Sequence, residues 1–244
     1  MKKIIGRLFE TCGYTVFNRN HAGLRFLAHP PKTAFDFVLH RVFLSLRDLA
    51  FIQVGANNGN RADPIASFID SFSWGGLMLE PLQANFADLR RLRGGNPRLR
   101  LKQAAVDVTF GKRTLYDLDP AATAALPDWT RGLASFSRDR VERAAFDLGL
   151  PPSAVISEEI EAVAWQDVWR DFGPRRCDVL VLDTEGYDLI LLRAADLGAH
   201  RPRVIHFEHA CVTADDRLTF YRELTDLGYE IATDGPDTTA WLPA

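Results

Sequence analysis

The sequence contains few cysteines and no long hydrophobic run. Its three cysteines, Cys12, Cys177 and Cys211, form no C-x-x-C pair and have no histidine at zinc spacing, which argues against a disulfide framework and against a metal site. The longest apolar stretches fall far short of the roughly 18–20 residues of a membrane span. The starting segment is interrupted by Arg7 and Glu10 before it reaches signal-peptide length. We therefore expect a cytoplasmic protein without a transmembrane segment.

The sequence also lacks a strong overall charge. Its 244 residues carry a formal net charge of −3 and are 47% hydrophobic, which is typical of a globular chain, and nucleic acid is not expected as a partner. The charge is uneven, because residues 1–50 carry eight basic against three acidic side chains, a net charge of +5 that leaves −8 on the rest. We interpret residues 1–46 as a basic helical N-terminal extension, with helix-like runs at 4–9 and 34–46. Three roles are open for it: capping an acceptor pocket, forming a homo-oligomer, or attracting an acidic substrate or membrane surface.

From Leu49 onward, short β-rich apolar runs alternate with helical periods. The runs span residues 49–55, 76–80, 99–106, 178–183, 203–208 and 229–233. This alternation predicts an α/β fold over residues 47–244, with a mostly parallel sheet and helices on both faces. In such a sheet, ligands lie at the carboxyl ends of the strands.

Residues 107–175 interrupt the alternation. We predict a hairpin at 111–119 and helices near 138–148 and 163–172. Trp165 and Trp169 would lie on the buried face of the second helix. The inserted segment is interpreted as a lid or a substrate wall, with an ordinary crossover as the alternative.

The first strand runs directly into a glycine turn, Gly55–Gly59. Asp63 is then predicted to cap a helix that begins at Pro64, and a strand, a glycine turn and a helix N-terminus suit a small anionic group. A dinucleotide site would have glycine at the position of Asn57, so that a pyrophosphate could approach. The turn therefore favours a cofactor without phosphates over an NAD-dependent oxidoreductase.

Glu80 ends the next apolar run and is followed by Pro81. An acidic side chain at this place can accept both hydroxyls of a ribose. A ribose without phosphate indicates S-adenosylmethionine, whose carboxylate would use the backbone N–H groups of the glycine turn. Val106 is predicted to cover the adenine and Asp107 to reach its exocyclic amine, with a turn-capping role as the alternative for Asp107.

Five sequence stretches together resemble one known family. They are QVGANNG (53–59), MLEP (78–81), the Ala-Val of 105–106 followed by GKRTLY, VLDTEGYDLILL (181–192) and VIHFEH (204–209). In this order, over roughly 49–242, they resemble the FkbM-type S-adenosylmethionine-dependent methyltransferases. The resemblance implies the class I methyltransferase (Rossmann-like) fold, with seven strands of which the last is antiparallel. It also implies O-methylation of polyketides, sugars or other secondary metabolites, and a cofactor or acceptor contact for Ser135 and Ser137, for which solvent exposure is the alternative.

Methyl transfer to a hydroxyl requires a base near the strand ends. The candidate catalytic residues are Asp183 and Glu185 after one strand, and Glu208 and His209 at the end of the next. Asp183 would also face the methyl-donor end of the cofactor. A divalent ion held by His206, Glu208 and Asp183 is a chemically sensible alternative that so few ligands do not support, and we predict no metal site.

The leading hypothesis is a methyltransferase that acts on a hydroxyl of a small-molecule acceptor. A non-catalytic domain that binds S-adenosylmethionine is the second hypothesis, and the NAD-dependent oxidoreductase is the third. Two other methyltransferase classes are disfavoured: the [DN]-P-P-[YF] turn of base N-methylation and the Pro-Cys nucleophile of RNA C5-methylation are both missing from the sequence.

Overall fold

The computed structural model describes residues 31–127, 130 and 132–243. The strands are β1 (Ala50–Val54), β2 (Gly75–Leu79), β3 (Leu99–Lys102), β4 (Ala105–Val106), β5 (Gly111–Leu118), β6 (Val155–Val163), β7 (Val179–Leu182), β8 (Val204–Glu208), β9 (Glu230–Asp234) and β10 (Asp237–Trp241). The α-helices are α1 (Ala34–Val42), α2 (Ala66–Phe72), α3 (Gln83–Arg93), α4 (Pro120–Thr123), α5 (Arg138–Asp147), α6 (Trp165–Phe172), α7 (Asp188–Ala194), α8 (Leu197–His200) and α9 (Ala214–Asp226). None of the described helices is long and apolar enough to cross a membrane.

The main sheet has seven strands in the order β3-β2-β1-β7-β8-β10-β9. The pairs from β3 to β8 are parallel, whereas β10 runs antiparallel to both β8 and β9. Every residue of β1, β2 and β7 is buried, as expected for strands covered by helices on both faces. The predicted α/β fold with an antiparallel last strand is confirmed.

A second, three-stranded sheet replaces two sequence predictions. Residues 99–106 do not form one strand, because the chain leaves the main sheet after Lys102 and β4 pairs with β6. The hairpin predicted at 111–119 is wrong, since this stretch is a single strand, β5, paired antiparallel with β6. The partner lies in residues 155–163, where the sequence pattern predicted no strand.

Helix α2 begins later than predicted. Its N-cap is Ile65, not Asp63. The Asp63 carboxylate instead accepts the N–H of Ile65 at 2.8 Å and the side-chain amide of Gln53 at 3.2 Å. Asp63 therefore still supplies an acceptor to the helix entrance, from two residues before the cap.

Helix α1 packs into the core of the main sheet. A capping box starts it, in which Thr33 Oγ1 accepts the N–H of Asp36 at 3.2 Å and the Asp36 carboxylate accepts that of Thr33. Phe35 and Leu39 are buried in one cluster with Phe51 of β1. This part of the predicted extension therefore shares the core of residues 47–244, and the helix ends at Val42. The run at 4–9 lies outside the described residues.

The inserted segment contains both predicted helices, α5 and α6. Trp165 is buried, and Trp169 packs against it with ring centroids 5.5 Å apart. The indole N–H of Trp165 donates to the carbonyl of Leu191 at 2.8 Å, and that of Trp169 donates to the carbonyl of Ala195 at 3.1 Å. The predicted buried face of α6 is confirmed.

Candidate functional site

A cavity opens at the carboxyl edge of the main sheet, where the strand order reverses between β1 and β7. It encloses about 640 Å³ when the open solvent at its mouth is included. Its walls come from the turns after β1, β2 and β7, from β4 and β5, and from residues 132–136 of the inserted segment. This is the expected ligand position in a parallel α/β sheet.

The glycine turn needs glycine at both of its ends. Gly55 has a φ of 82°, and a Cβ there would lie 1.9 Å from the carbonyl oxygen of Asp183. Gly59 has a φ of 75°, and its Cβ would lie 2.6 Å from Leu89 Cδ1. Only glycine accommodates such approaches in the left-handed region. The turn thereby packs closely on β7 and α3, and it places Asn57 in the cavity wall.

The N–H groups of this turn are already used inside the protein. Those of Gly55 and Ala56 donate to the carbonyl of Leu79 at 3.0 and 2.9 Å. The N–H of Asn57 donates to Glu80 Oε2 at 2.9 Å. That of Asn58 donates to Asn57 Oδ1 at 2.8 Å, and that of Gly59 to the carbonyl of Ala56 at 2.9 Å. A cofactor carboxylate would have to compete with these acceptors. The described turn therefore shapes the cavity more than it supplies donors, contrary to the sequence expectation.

Glu80 follows β2, is buried, and borders the cavity together with Pro81. Its Oε2 accepts the N–H of Asn57 at 2.9 Å and its Oε1 accepts that of Leu82 at 3.0 Å. Burial raises the pKa of Glu80 to about 7, and these hydrogen bonds oppose the increase. Because a carboxylate has about four acceptor sites, Glu80 retains acceptor capacity beyond these two N–H groups and the side chain of Asn85.

Val106 and Asp107 have different surroundings. Val106 lines the cavity with Leu82 and forms an apolar wall. Asp107 is fully buried behind it, where its Oδ1 accepts the hydroxyl of Tyr187 at 2.8 Å and its Oδ2 pairs with Arg113. Tyr187 itself lines the cavity. In this arrangement Asp107 positions the tyrosine, and the tyrosine is the group that can contact a ligand.

Several carboxylates gather on the side of the cavity away from Glu80. Asp183 follows β7 and is exposed to the cavity, while the protein around it reduces its solvation. This desolvation, followed by the charges of Glu185 and Asp188, raises the pKa of Asp183 well above its ordinary value. Burial raises the pKa of Glu208 to about 7, assisted by Glu185 and opposed by Arg140. These acids compete for charge, so their protonation is coupled.

Arg140 of α5 reaches this group of acids. Its guanidinium contacts the carboxylate of Glu185 and lies 3.7 Å from Glu208 Oε2. Ser135 lines the cavity and donates from Oγ to the carbonyl of Glu185 at 3.0 Å, whereas Ser137 is the N-cap of α5. The structure therefore brings three of the candidate catalytic residues together and ties them to the inserted segment.

His209 has a different environment from the acids. It is buried, and its Nδ1 lies 2.8 Å from Thr238 Oγ1, while burial lowers its pKa. His206 Nδ1 lies 3.0 Å from Thr239 Oγ1, and its ring packs on Phe35 with centroids 4.5 Å apart. Neither imidazole lines the cavity. Within the part of the chain that the structure describes, no three His, Cys, Asp or Glu side chains are arranged to hold a metal ion.

Sequence reasoning missed three residues at the site. Tyr187 stood inside the motif VLDTEGYDLILL, and an aromatic side chain two residues after Glu185 could have been read as a wall of the cavity. Arg140 and Phe136 lie in the inserted segment, where no periodic pattern related them to the strand ends. Phe136 lines the cavity and packs edge-on against Tyr187 with ring centroids 5.2 Å apart.

Comparison with known proteins agrees with this layout. The model of the methyltransferase FkbM domain matches residues 53–231. No curated protein sequence matches the chain.

The matching solved structures come from several organisms. The methyltransferase FkbM from Methylobacillus flagellatus KT has 16% sequence identity and a TM-score of 0.51, over 91% of this chain and 50% of that one. The chain thus spans half of the length of that protein. The precorrin-6y C5,15-methyltransferase from Geobacter metallireducens GS-15 has 15% identity and a TM-score of 0.40, over 84% of this chain and 86% of that one. Aeropyrum pernix fibrillarin with natively bound S-adenosyl-L-methionine has 11% identity and a TM-score of 0.40, over 84% of this chain and 71% of that one.

Proposed function

Because the chain belongs to the FkbM methyltransferase family, we propose that it transfers the methyl group of S-adenosylmethionine to a hydroxyl oxygen of a small molecule, such as a sugar or another secondary metabolite. The observation that carries this proposal is Glu80. It is a buried carboxylate at the cavity, with both oxygens oriented by backbone N–H groups, and it suits the two hydroxyls of an unphosphorylated ribose. The apolar wall of Leu82 and Val106 suits the adenine.

The acids beside the cavity suit the proton transfer. S-adenosylmethionine, when bound, supplies an electrophilic methyl group on its sulfonium. As the acceptor oxygen displaces the sulfur, its hydroxyl proton must pass to a base. We assign this proton to the coupled acids Asp183, Glu185 and Glu208, of which Asp183 and Glu185 line the cavity, and burial raises the pKa of all three. Val54 holds Asp183 in place, since its carbonyl accepts the N–H of Asp183 at 3.0 Å.

His209 receives a scaffold role in this proposal. Its Nδ1 is bound to Thr238, whose hydroxyl also lies 2.6 Å from that of Tyr221. The imidazole thereby connects the end of β8 to β10 and α9, and it lies outside the cavity lining.

Calorimetric titration with S-adenosylmethionine and with NAD tests the proposal. We expect the wild-type protein to bind S-adenosylmethionine and not NAD. Glu80→Gln should weaken that binding roughly 10- to 100-fold, because two hydrogen bonds to a charged acceptor are replaced by weaker ones. Glu159→Gln is the matched control, since Glu159 forms an exposed pair with Lys112 at 3.9 Å, outside the cavity lining.

Each alternative function has its own result in this experiment. Absence of S-adenosylmethionine binding contradicts the proposal, and binding of NAD favours an oxidoreductase. Binding without methyl transfer to any member of a panel of hydroxylated acceptors favours a non-catalytic domain. An unchanged affinity in Glu80→Gln contradicts the ribose assignment.

A further inference from the structure

One arginine of the inserted segment is enclosed together with two carboxylates. The guanidinium of Arg140 contacts Glu185, lies 3.7 Å from Glu208 Oε2 and touches Cys211 Sγ. The side chain of Arg140 is 25% exposed, and those of Glu185 and Glu208 are 16% and 19% exposed. The next arginine on the same helix, Arg143, is 74% exposed and pairs with its neighbour Asp147. Arg140 therefore differs from an ordinary surface arginine of α5.

The local chain geometry directs Arg140 to this place. Ser137 caps α5 by accepting the N–H of Arg140 at 3.4 Å, and Ser135 attaches the preceding residues to the turn after β7. Gly186 in that turn has a φ of 91°, and a Cβ there would lie 3.4 Å from Arg140 Cδ. A Cβ at position 186 would thus be in van der Waals contact with the arginine and closer still to Cys211 Cβ, at 3.0 Å. The LASFSRD stretch (133–139) and Gly186 together set the position of the Arg140 guanidinium.

Glu208 is surrounded mainly by like charges. The charged and titratable groups around it are Asp183, Glu185, Asp188, Asp237, Arg140 and Cys211. Four of these six are carboxyl groups and one is a cation. Close carboxylates in a poorly solvated site retain protons unless an opposite charge compensates them. Arg140 supplies that charge to both Glu185 and Glu208.

We propose that Arg140 is a positioning residue, which holds Glu185 and Glu208 side by side as carboxylates so that one of them accepts the hydroxyl proton during methyl transfer. This inference rests on the proposed function. It extends that function by making the inserted segment a contributor to the base as well as to the cavity wall. The guanidinium of Arg140 suits this positioning role, because a planar fork of donors can contact two carboxylates at once.

Titration of glutamate carboxyls by NMR, in protein labelled with ¹³C at the glutamate carboxyl, tests the proposal without an acceptor. Glu185→Gln and Glu208→Gln assign the two signals. In Arg140→Gln, we expect both titration midpoints to rise by about one pH unit or more, the size of the effect of a nearby opposite charge. Arg143→Gln is the matched control and should leave both midpoints unchanged. The rate of methyl transfer to any acceptor found should fall as the pH is lowered and the base takes up a proton. In Arg140→Gln this loss should occur at a correspondingly higher pH than in the wild type.

The results separate this proposal from the proposed function. Unchanged midpoints in Arg140→Gln overturn the role of Arg140, as do equal shifts in Arg143→Gln. Failure of the wild-type protein to bind S-adenosylmethionine contradicts the proposed function, whatever the titration shows. If Arg140→Gln does not fold, Arg140→Lys replaces it. A single ammonium cannot bridge both carboxylates as the fork does, so at least one midpoint should rise, and two unchanged midpoints overturn the proposal.

Discussion

Single residues at the carboxyl edge of the main sheet have roles that combine backbone geometry with chemistry. Gly55 permits the turn after β1 to approach the carbonyl of Asp183, and the N–H of Asn57 in the same turn orients Glu80. The glycine therefore acts on the Glu80 carboxylate through the backbone, since its position sets that of Asn57. A change at Gly55 should disturb the fold and the site together.

Gly55→Ala should lower the free energy of unfolding by about 2–4 kcal/mol. Its φ of 82° is unfavourable for alanine, and its Cβ would overlap the carbonyl oxygen of Asp183. Gly95→Ala is the control, because a Cβ there meets nothing within 4 Å, and it should change stability by less than about 0.5 kcal/mol. Urea unfolding measures both, and equal losses would contradict the close approach at position 55.

At the scale of elements, α1 changes the interpretation of the N-terminal region. The charge pattern suggested that residues 1–46 are an appendage, but Phe35 and Leu39 belong to the core that contains Phe51. The Ala34 N–H also donates to the Asp234 carboxylate of β9 at 3.0 Å. The basic net charge of the region does not come from this helix, which carries one acidic and one basic side chain, Asp36 and Arg41, beside its buried apolar face.

Leu39→Ala should lower the free energy of unfolding by about 2–5 kcal/mol, the cost of a cavity in a packed core. Leu39 is 0% exposed, whereas Leu44, just after the helix, is 94% exposed. Leu44→Ala should therefore change stability by less than about 0.5 kcal/mol. Denaturant unfolding of the two variants provides the comparison. A small effect at both positions would favour the appendage.

For the whole molecule, the site concentrates acids whose protonation is coupled to folding. Burial raises the pKa values of Glu80 and Glu208 to about 7 and those of Asp117, Asp188 and Asp237 to about 6. The native state therefore binds more protons than the unfolded state between about pH 4.5 and pH 7. Stability must decrease as the pH rises through this window. Burial lowers the pKa of His206 to about 4, which acts in the opposite direction but only below the pKa of about 6.5 of an unfolded histidine.

The free energy of unfolding should thus be lower at about pH 8 than at about pH 6. In this range, Glu80 and Glu208 lose their protons in the native state, whereas the same groups in the unfolded chain are already ionised. Urea unfolding at a series of pH values measures the slope. The double variant Glu80→Gln and Glu208→Gln should flatten it, and a wild-type stability that rises over this range would contradict the raised pKa values.

The fold was largely predictable, because strands buried on both faces have a sequence signature of their own. Runs such as 76–80 and 178–183 differ from the observed β2 and β7 by one residue at each end. The second sheet was not predictable in this way. Its strand β6 is mostly exposed, and Ile156 is followed there by three polar residues, Ser157, Glu158 and Glu159. Its pairing with β5 therefore depends on a contact that the local pattern does not encode.

By itself, the sequence determined most strands of the main sheet, the glycine turn and the acidic residues that end the strands, because these depend on local periodicity and on backbone conformation. Only the tertiary structure decided which of those residues share a cavity. It placed Asp107 behind Tyr187, bound His209 to Thr238, and brought Arg140 to Glu185 and Glu208. Such contacts join residues far apart in the chain, and their geometry follows from how the inserted segment packs against the strand ends.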